Sequence, residues 1–332
     1  MANERKNVVV IGGAGFLGSH LCDELIHSHQ VICVDNFVSG SQSNIDHLLS
    51  DPNFLFIKHD IVNPLDLESL PETERFRVKS RGVAEVYNLA CPTSAKQFEE
   101  FKIQTLETNS WGTHNALELA RKYKAKFLHF SSSVVYGARR EDNAAFPENY
   151  CGYVNALSPR ACYDEGRRFA EAAVATYQQV YKLDAKIVRV FRAYGPRMKL
   201  FDGQMIPDFI TAALANQELV IYGDASFSTS LVYVSDVVDA AIKVMASAET
   251  GPFNVGSPYD VKLIDVAKQI IAMVESKSAV SFQQPLLFMT PLGLPDITLI
   301  KETLGWLPVV TLAEGLQKTI DYTKAEQNIV RG

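Results

Sequence analysis

The sequence is short of basic charge, of cysteine and of long apolar runs, and each shortage removes a class of function. Lysine and arginine number 32 against 38 aspartates and glutamates, a formal net charge of −6. Nucleic-acid binders usually carry a basic excess, so nucleic acid is not an expected partner. The five cysteines, Cys22, Cys33, Cys91, Cys151 and Cys162, are odd in number and lack CxxC spacing. This argues against a disulfide framework or zinc site and favours a reducing, cytoplasmic compartment. The seven histidines show no paired spacing, and no metal is expected. No apolar stretch approaches the roughly 20 residues of a membrane span. The opening "MANERKNVVVIGGAGFLGSHL" has too short an apolar core and too many glycines for a signal peptide. Repeats and low-complexity segments are absent too.

What is there is the composition of a globular protein: 332 residues, 47% hydrophobic and 21% charged. That length suits one large α/β domain or two lobes sharing a core. "NVVVIGGAGFLGSHLCDELIHSHQVICVDNF" reads as strand, glycine turn, helix, strand. Val8–Ile11 is a continuous β-branched run, as in a buried parallel strand. Gly12, Gly15 and Gly18 follow at GxxGxxG spacing, which lets backbone N–H groups approach a pyrophosphate and lets helix and strand pack closely. Leu17, Leu21, Leu25 and Ile26 form one apolar helical face. Asp35 ends the next strand, where a carboxylate holds adenosine ribose hydroxyls and repels a 2′-phosphate, favouring NAD over NADP. Gly12, Gly15, Phe16, Leu17, Gly18, Asp35 and Asn36 are therefore the first expected cofactor contacts.

Further strands are expected in "FLFIKHDI", ending at Asp60-Ile61, in "GVAEVYNLAC", ending near Leu89-Ala90, and in "KAKFLHFSSSVVYG", ending in a serine cluster. Helical patterns near 98–122 and 160–182 separate them, and 63–82 reads as a loop or partly helical excursion. Strands alternating with helices imply an α/β fold, a Rossmann-type doubly wound parallel sheet. Ligands lie over the carboxyl ends of such strands, which adds Asp60, Ile61, Leu89, Ala90 and Ser132 to the candidates. The expected division is a dinucleotide-binding domain over 1–190 and a smaller C-terminal α/β substrate lobe over 191–332, partly interwoven with the first.

"ACYDEGRRFAE" places Tyr163 and Arg167 four residues apart on one helical face. GGAGFLGSHL, VDNF, HDI, NLACP, Thr108 to Thr113, SSSVVYG and this pair fall in the order of the extended short-chain dehydrogenase/reductases, the NAD-dependent epimerase/dehydratase family, which the sequence resembles. Within it, "ENYCGYVNALSPRACYDEGRR", "YGPRMKLFDGQMIPDFI" and "LVYVSDVVDA" are most similar to the UDP-glucuronate decarboxylases. The resemblance implies NAD as cofactor, with Thr108 and the Tyr163/Arg167 pair joining its contacts. It implies a nucleotide sugar oxidised at C4, changed beside the 4-keto group and reduced again. Tyr163 takes the role of proton acceptor, and Ser132 that of the hydroxyl on the C4 oxygen. Ser133, Arg192 and Arg197 are the expected substrate contacts. A homodimer through the two long helices is implied as well, the alternative being that their apolar residues (Leu106, Trp111, Leu117, Leu119) only cover the sheet.

Several residues depart from the decarboxylase pattern. Arg167 stands in place of a lysine and cannot relay a proton. Val134 replaces a glutamate that handles the C5 proton. Arg192 replaces an asparagine, while Thr229 and Gly293 replace two arginines that grip the diphosphate. Phe98 replaces a tyrosine, and an acidic turn has become "PLLFMTPL". These changes leave 4-epimerisation, simple 4-oxidation and a catalytically degenerate NAD-binding protein as alternatives to decarboxylation.

Overall fold

The computed structural model describes residues 5–94, 100–139, 145–285 and 292–331, with side chains as far as Glu326. Its centre is a seven-stranded, wholly parallel sheet. The strands are β1 (Asn7–Ile11), β2 (Gln30–Asp35), β3 (Phe54–Lys58), β4 (Glu85–Asn88), β5 (Lys126–Ser132), β6 (Ala185–Val190) and β7 (Phe253–Val255). Their spatial order is β7-β6-β5-β4-β1-β2-β3. This is the doubly wound order, built outward in both directions from β1.

The alternation of the strands decides which core each residue joins. Val8 and Val10 of β1 belong to one apolar cluster, Val9 and Ile11 to another, and β2 divides Val31 and Cys33 from Ile32 and Val34 in the same way. Successive side chains point to opposite faces, and helices cover both, so these strands carry no polar alternation. Helix α1 (Phe16–Leu25) packs Leu21 and Leu25, with Ile26 just beyond it, against one face, while Leu17 in its first turn meets the cavity described below. A Leu21→Ala change removes a fully buried side chain and costs about 2–5 kcal/mol.

β3 ends at Lys58 and β4 at Asn88, so Asp60-Ile61 and Leu89-Ala90 lie just past the strand ends. The stretch near 63–82 holds 3-10 turns at Leu67–Ser69 and Pro71–Phe76 and a short helix, Val78–Arg81. The helical pattern near 98–122 becomes α2 (Lys102–Glu107) and α3 (Thr113–Tyr123), joined by a π turn at Thr108–Gly112. Its expected first residues fall partly outside the described chain. The second pattern is α4 (Ala161–Tyr181).

The later part of the chain adds α5 (Met205–Leu214) and a parallel strand pair, Leu219–Tyr222 with Val280–Gln283. It also returns to the central sheet to supply β7, so the two halves share one sheet. Trp306 anchors the end of the chain: it is fully buried and its indole N–H donates to the Asp236 carbonyl at 3.1 Å.

Candidate active site

Connections leave in opposite directions from β1 and β4, which opens a crevice above their carboxyl ends. A cavity of about 980 Å³ occupies it and is lined also by residues of the later chain, among them Arg192, Met205 and Phe209. Gly12 has φ +80°, and a Cβ there would sit 2.7 Å from the Ala90 nitrogen. At Gly18 a Cβ would meet the Gly12 carbonyl oxygen at 2.1 Å, so the turn and α1 approach only because both residues lack side chains. Gly15 caps α1 without a side-chain hydrogen bond, which leaves first-turn N–H groups available to an anion. Asp35 receives the Ala14 N–H at 3.0 Å and the Phe37 N–H at 2.8 Å. Burial pushes its carboxyl above the usual range, and these backbone donors oppose the shift. Asn36 accepts from the Val38 N–H and Asp60 from the Val62 N–H, both at 3.0 Å. With Phe16, Leu17, Ile61, Leu89, Ala90 and Thr108, all these groups line the same end of the cavity. A side-chain-free turn, an open helix start and a carboxylate at the next strand end fit a dinucleotide.

The middle of the cavity is where α4 faces the end of β5. Tyr163 and Arg167 are both buried, and the guanidinium carbon lies 5.4 Å from the centre of the Tyr163 ring. Arg167 Nη1 donates to the Phe130 carbonyl at 2.9 Å, tying α4 to β5, while its buried Nε has no hydrogen-bond partner among the described residues. Burial opposes the arginine's charge, but Cys91 and a hydrogen bond with Tyr163 outweigh it and hold the guanidinium protonated. The same environment acts on His129: burial and then the Arg167 charge push its imidazole well below the usual range, so it is neutral. Ser132 faces the cavity and accepts the Val134 N–H at 3.4 Å, so one hydroxyl both caps a turn and lines the site. The β5 end is held by Ser131, which donates to Glu171, itself paired with Arg189 at 2.7 Å.

Val134 packs against Tyr163 together with Cys91 and Leu292. The wall beside the tyrosine is therefore apolar where the decarboxylase pattern has a carboxylate. Ser133 is buried at the same turn.

The third part lies in the later lobe. Arg192 lines the cavity just past the end of β6, and its guanidinium donates to the Met205 sulfur at 3.4 Å. Burial first and the nearby Arg160 second lower its pKa to about 10, leaving it charged at neutral pH. Arg197 also lines the cavity but pairs with Asp23 of α1 at 2.7 Å. Thr229 is buried and donates to the Ser230 carbonyl. At Gly293 a Cβ would fall 2.4 Å from the Phe146 ring, so Phe146 fills the space that a longer residue there needs. Phe98 and residues 286–291 of the apolar turn lie outside the described residues.

Three participants escaped the sequence reading. Arg160, one turn before Tyr163 and paired with Asp164 at 3.0 Å, lines the cavity; its i−3 spacing from the tyrosine was the available signal. Cys91 lines it as well, receiving an Asn109 N–H at 3.2 Å. Met205 gave no signal, because its role depends on a contact across 13 residues. Among the described residues, no group of three or more His, Cys, Asp or Glu is placed to hold a metal, and no helix is long and apolar enough to cross a membrane.

Comparison with known proteins places this geometry. Residues 8–256 match the model of the NAD dependent epimerase/dehydratase family. The chain is 38% identical over 326 residues to UDP-glucuronic acid decarboxylase 1 of Xenopus tropicalis, covering 97% of this chain and 73% of that protein. It is 34% identical over 326 residues to UDP-glucuronic acid decarboxylase 3 of Arabidopsis thaliana, covering 98% and 91%. Among solved structures, a UDP-glucose 4-epimerase from Thermotoga maritima with UDP-glucose superposes with a TM-score of 0.84 at 28% identity, covering 97% of this chain and 99% of that one. A UDP-glucuronic acid 4-epimerase from Bacillus cereus, with UDP-glucuronic acid and NAD, gives 0.84 at 25% identity, covering 96% and 99%.

Proposed function

Because the chain belongs to the NAD dependent epimerase/dehydratase family, we propose that it is an enzyme that modifies a nucleotide sugar through transient oxidation at C4. The observation that carries this reading is the meeting of Tyr163, Arg167 and Ser132 in one cavity with the Gly12–Gly18 turn. NAD, when bound, supplies a reversible acceptor for the C4 hydride. The turn and the start of α1 hold its pyrophosphate, Asp35 its adenosine ribose and Arg167 its nicotinamide ribose. Tyr163 takes the proton of the C4 hydroxyl, and Ser132 donates a hydrogen bond to the same oxygen. Arg167 stays protonated, so it positions the phenol and the ribose without carrying protons between them.

The relatives favour UDP-glucuronate as substrate and a lyase reaction. A 4-keto uronate is a β-keto acid: its C5 carboxylate leaves as CO2, the electron pair passes into the enolate of the ketone, and C5 then takes up a proton. Val134 and Leu292 give that proton no donor, which favours a second reading, 4-epimerisation, an isomerase reaction that leaves C5 untouched. Incubating the protein with UDP-glucuronate, UDP-glucose and UDP-galactose, while following CO2 and NADH absorbance, separates the two. CO2 release establishes decarboxylation, and an epimer without CO2 establishes the second reading. NAD-loaded protein that gives no product and no thermal shift with any of the three sinks both.

The assembly we propose is a homodimer through α2, α3 and α4. Leu117 and Leu119 cover the sheet, but Ile103 and Trp111 are each 63% exposed, and Phe169 and Val180 stand out from α4 at 54% and 63%. A second copy of this face gives them a partner. All five cysteines are free, with Cys22 and Cys33 buried, which suits a cytoplasmic location.

A further inference from the structure

The later lobe contains a cation whose surroundings suit a ligand better than they suit the folded chain. Arg192 is only partly buried and lines the cavity. Among the described residues its hydrogen-bonding partner is a thioether sulfur, a weak acceptor for a guanidinium with five donors. Among the described residues the charge that acts on it is another cation, Arg160, whose own head is shared with Asp164. A partly buried charge without a counter-ion is unfavourable, and a second cation on the same cavity makes the position worse. An anion between the two arginines reverses both terms.

We propose that Arg192, backed by Arg160, is the anion-binding centre of the sugar half of the cavity, with an oxyanion of the substrate as its ligand. The class is a phosphate or carboxylate oxygen, for which the planar guanidinium fork is well suited. This deepens the nucleotide-sugar reading and rests on it for the identity of the molecule that brings the anion. It also accounts for two substitutions together. Thr229 is buried with its hydroxyl turned to the Ser230 carbonyl, and Gly293 lies against Phe146, so neither position offers a cation. The cation stands instead at the strand end after β6. Arg160 caps the start of α4, its carbonyl accepting the Tyr163 N–H at 2.8 Å, so the seated anion is held at the end of the helix that carries the tyrosine.

The test uses the NAD-loaded full chain, with Arg192→Asn, Arg192→Lys and Arg192→Met beside the parent. Pyrophosphate, UDP, UDP-glucose and UDP-glucuronate are titrated by calorimetry and thermal shift. Arg192→Asn is expected to weaken binding roughly tenfold or more, since hydrogen bonds to a charged group are involved, and Arg192→Lys is expected to restore part of the loss. If all four probes weaken, the diphosphate is the seated group; if only UDP-glucuronate weakens, the sugar carboxylate is. Either result supports the site. Unchanged binding of every probe overturns it, while the functional reading stands if the UDP-sugars still bind. A parent that ignores UDP-sugars but shows an Arg192-dependent pyrophosphate shift sinks the functional reading and keeps the site. Without ligand, Arg192→Met is expected to melt no lower than the parent; a clear fall with binding unchanged marks Arg192 as structural and overturns the proposal.

Discussion

The two ends of the cavity are built on opposite terms. At the dinucleotide end, backbone atoms form the surface, glycines keep it clear, and the carboxylates of Asp35 and Asp60 already hold backbone N–H groups. At the sugar end, side chains form the surface and several are poorly matched to one another: a cation on a thioether, two arginines together, a valine beside the tyrosine. A surface made of main chain changes only when the fold changes, whereas one made of side chains changes by single substitutions. The first resists single substitutions and the second is open to them.

That contrast can be broken most sharply where the ends meet. Tyr163→Phe removes the proton acceptor from both proposed reactions, and turnover is expected to fall about 100- to 10,000-fold while NAD stays bound, measured by product formation and by cofactor content. Loss of NAD together with activity makes the tyrosine part of the dinucleotide end instead. Gly18→Val attacks the first end directly: its side chain runs into the Gly12 carbonyl, and a loss of about 3 kcal/mol of stability together with the bound cofactor is expected in thermal melts. Ordinary stability and NAD content show that the turn has room after all.

The other two changes sharpen the contrast. Val134→Glu restores a carboxyl beside Tyr163. It is expected to raise the ratio of CO2 to epimer from UDP-glucuronate, at a cost of about 1–3 kcal/mol for placing a polar group among Leu292 and Cys91. An unchanged ratio means that the valine does not decide the fate of C5. Arg167→Lys has the smallest expected effect, a rise of a few-fold in the hydride step seen as NADH absorbance in single turnovers, because an ammonium can exchange protons where a guanidinium cannot. A fall in rate means that the bond from Arg167 to the Phe130 carbonyl has become part of how α4 is set.

The dinucleotide end was legible in the sequence because its causes are local. A β-branched run, three glycines at fixed spacing and an acid at the next strand end are written within 28 residues of one another, and Gly12, Gly18 and Asp35 stand where that pattern puts them. Tyr163 and Arg167 were legible as a helical pair for the same reason. What the pattern did not carry depends on contacts between distant segments. The π turn at Thr108–Gly112 interrupts a smooth apolar period, and it brings Thr108 to the cavity and buries Asn109. Nothing around residue 192 signals that its side chain meets Met205, or that Arg160 is close enough to depress its pKa. The neutrality of His129 likewise follows from burial and from Arg167, 38 positions further along the chain.

The glycine at 293 has a consequence for what the position can accept. Phe146 occupies the space beside it and packs with Tyr136, Tyr150 and Phe191. An arginine at 293 requires a second change at 146, and either change alone is harmful: the first clashes, the second leaves a cavity. Positions 146 and 293 therefore behave as a coupled pair, exchangeable together but not one at a time.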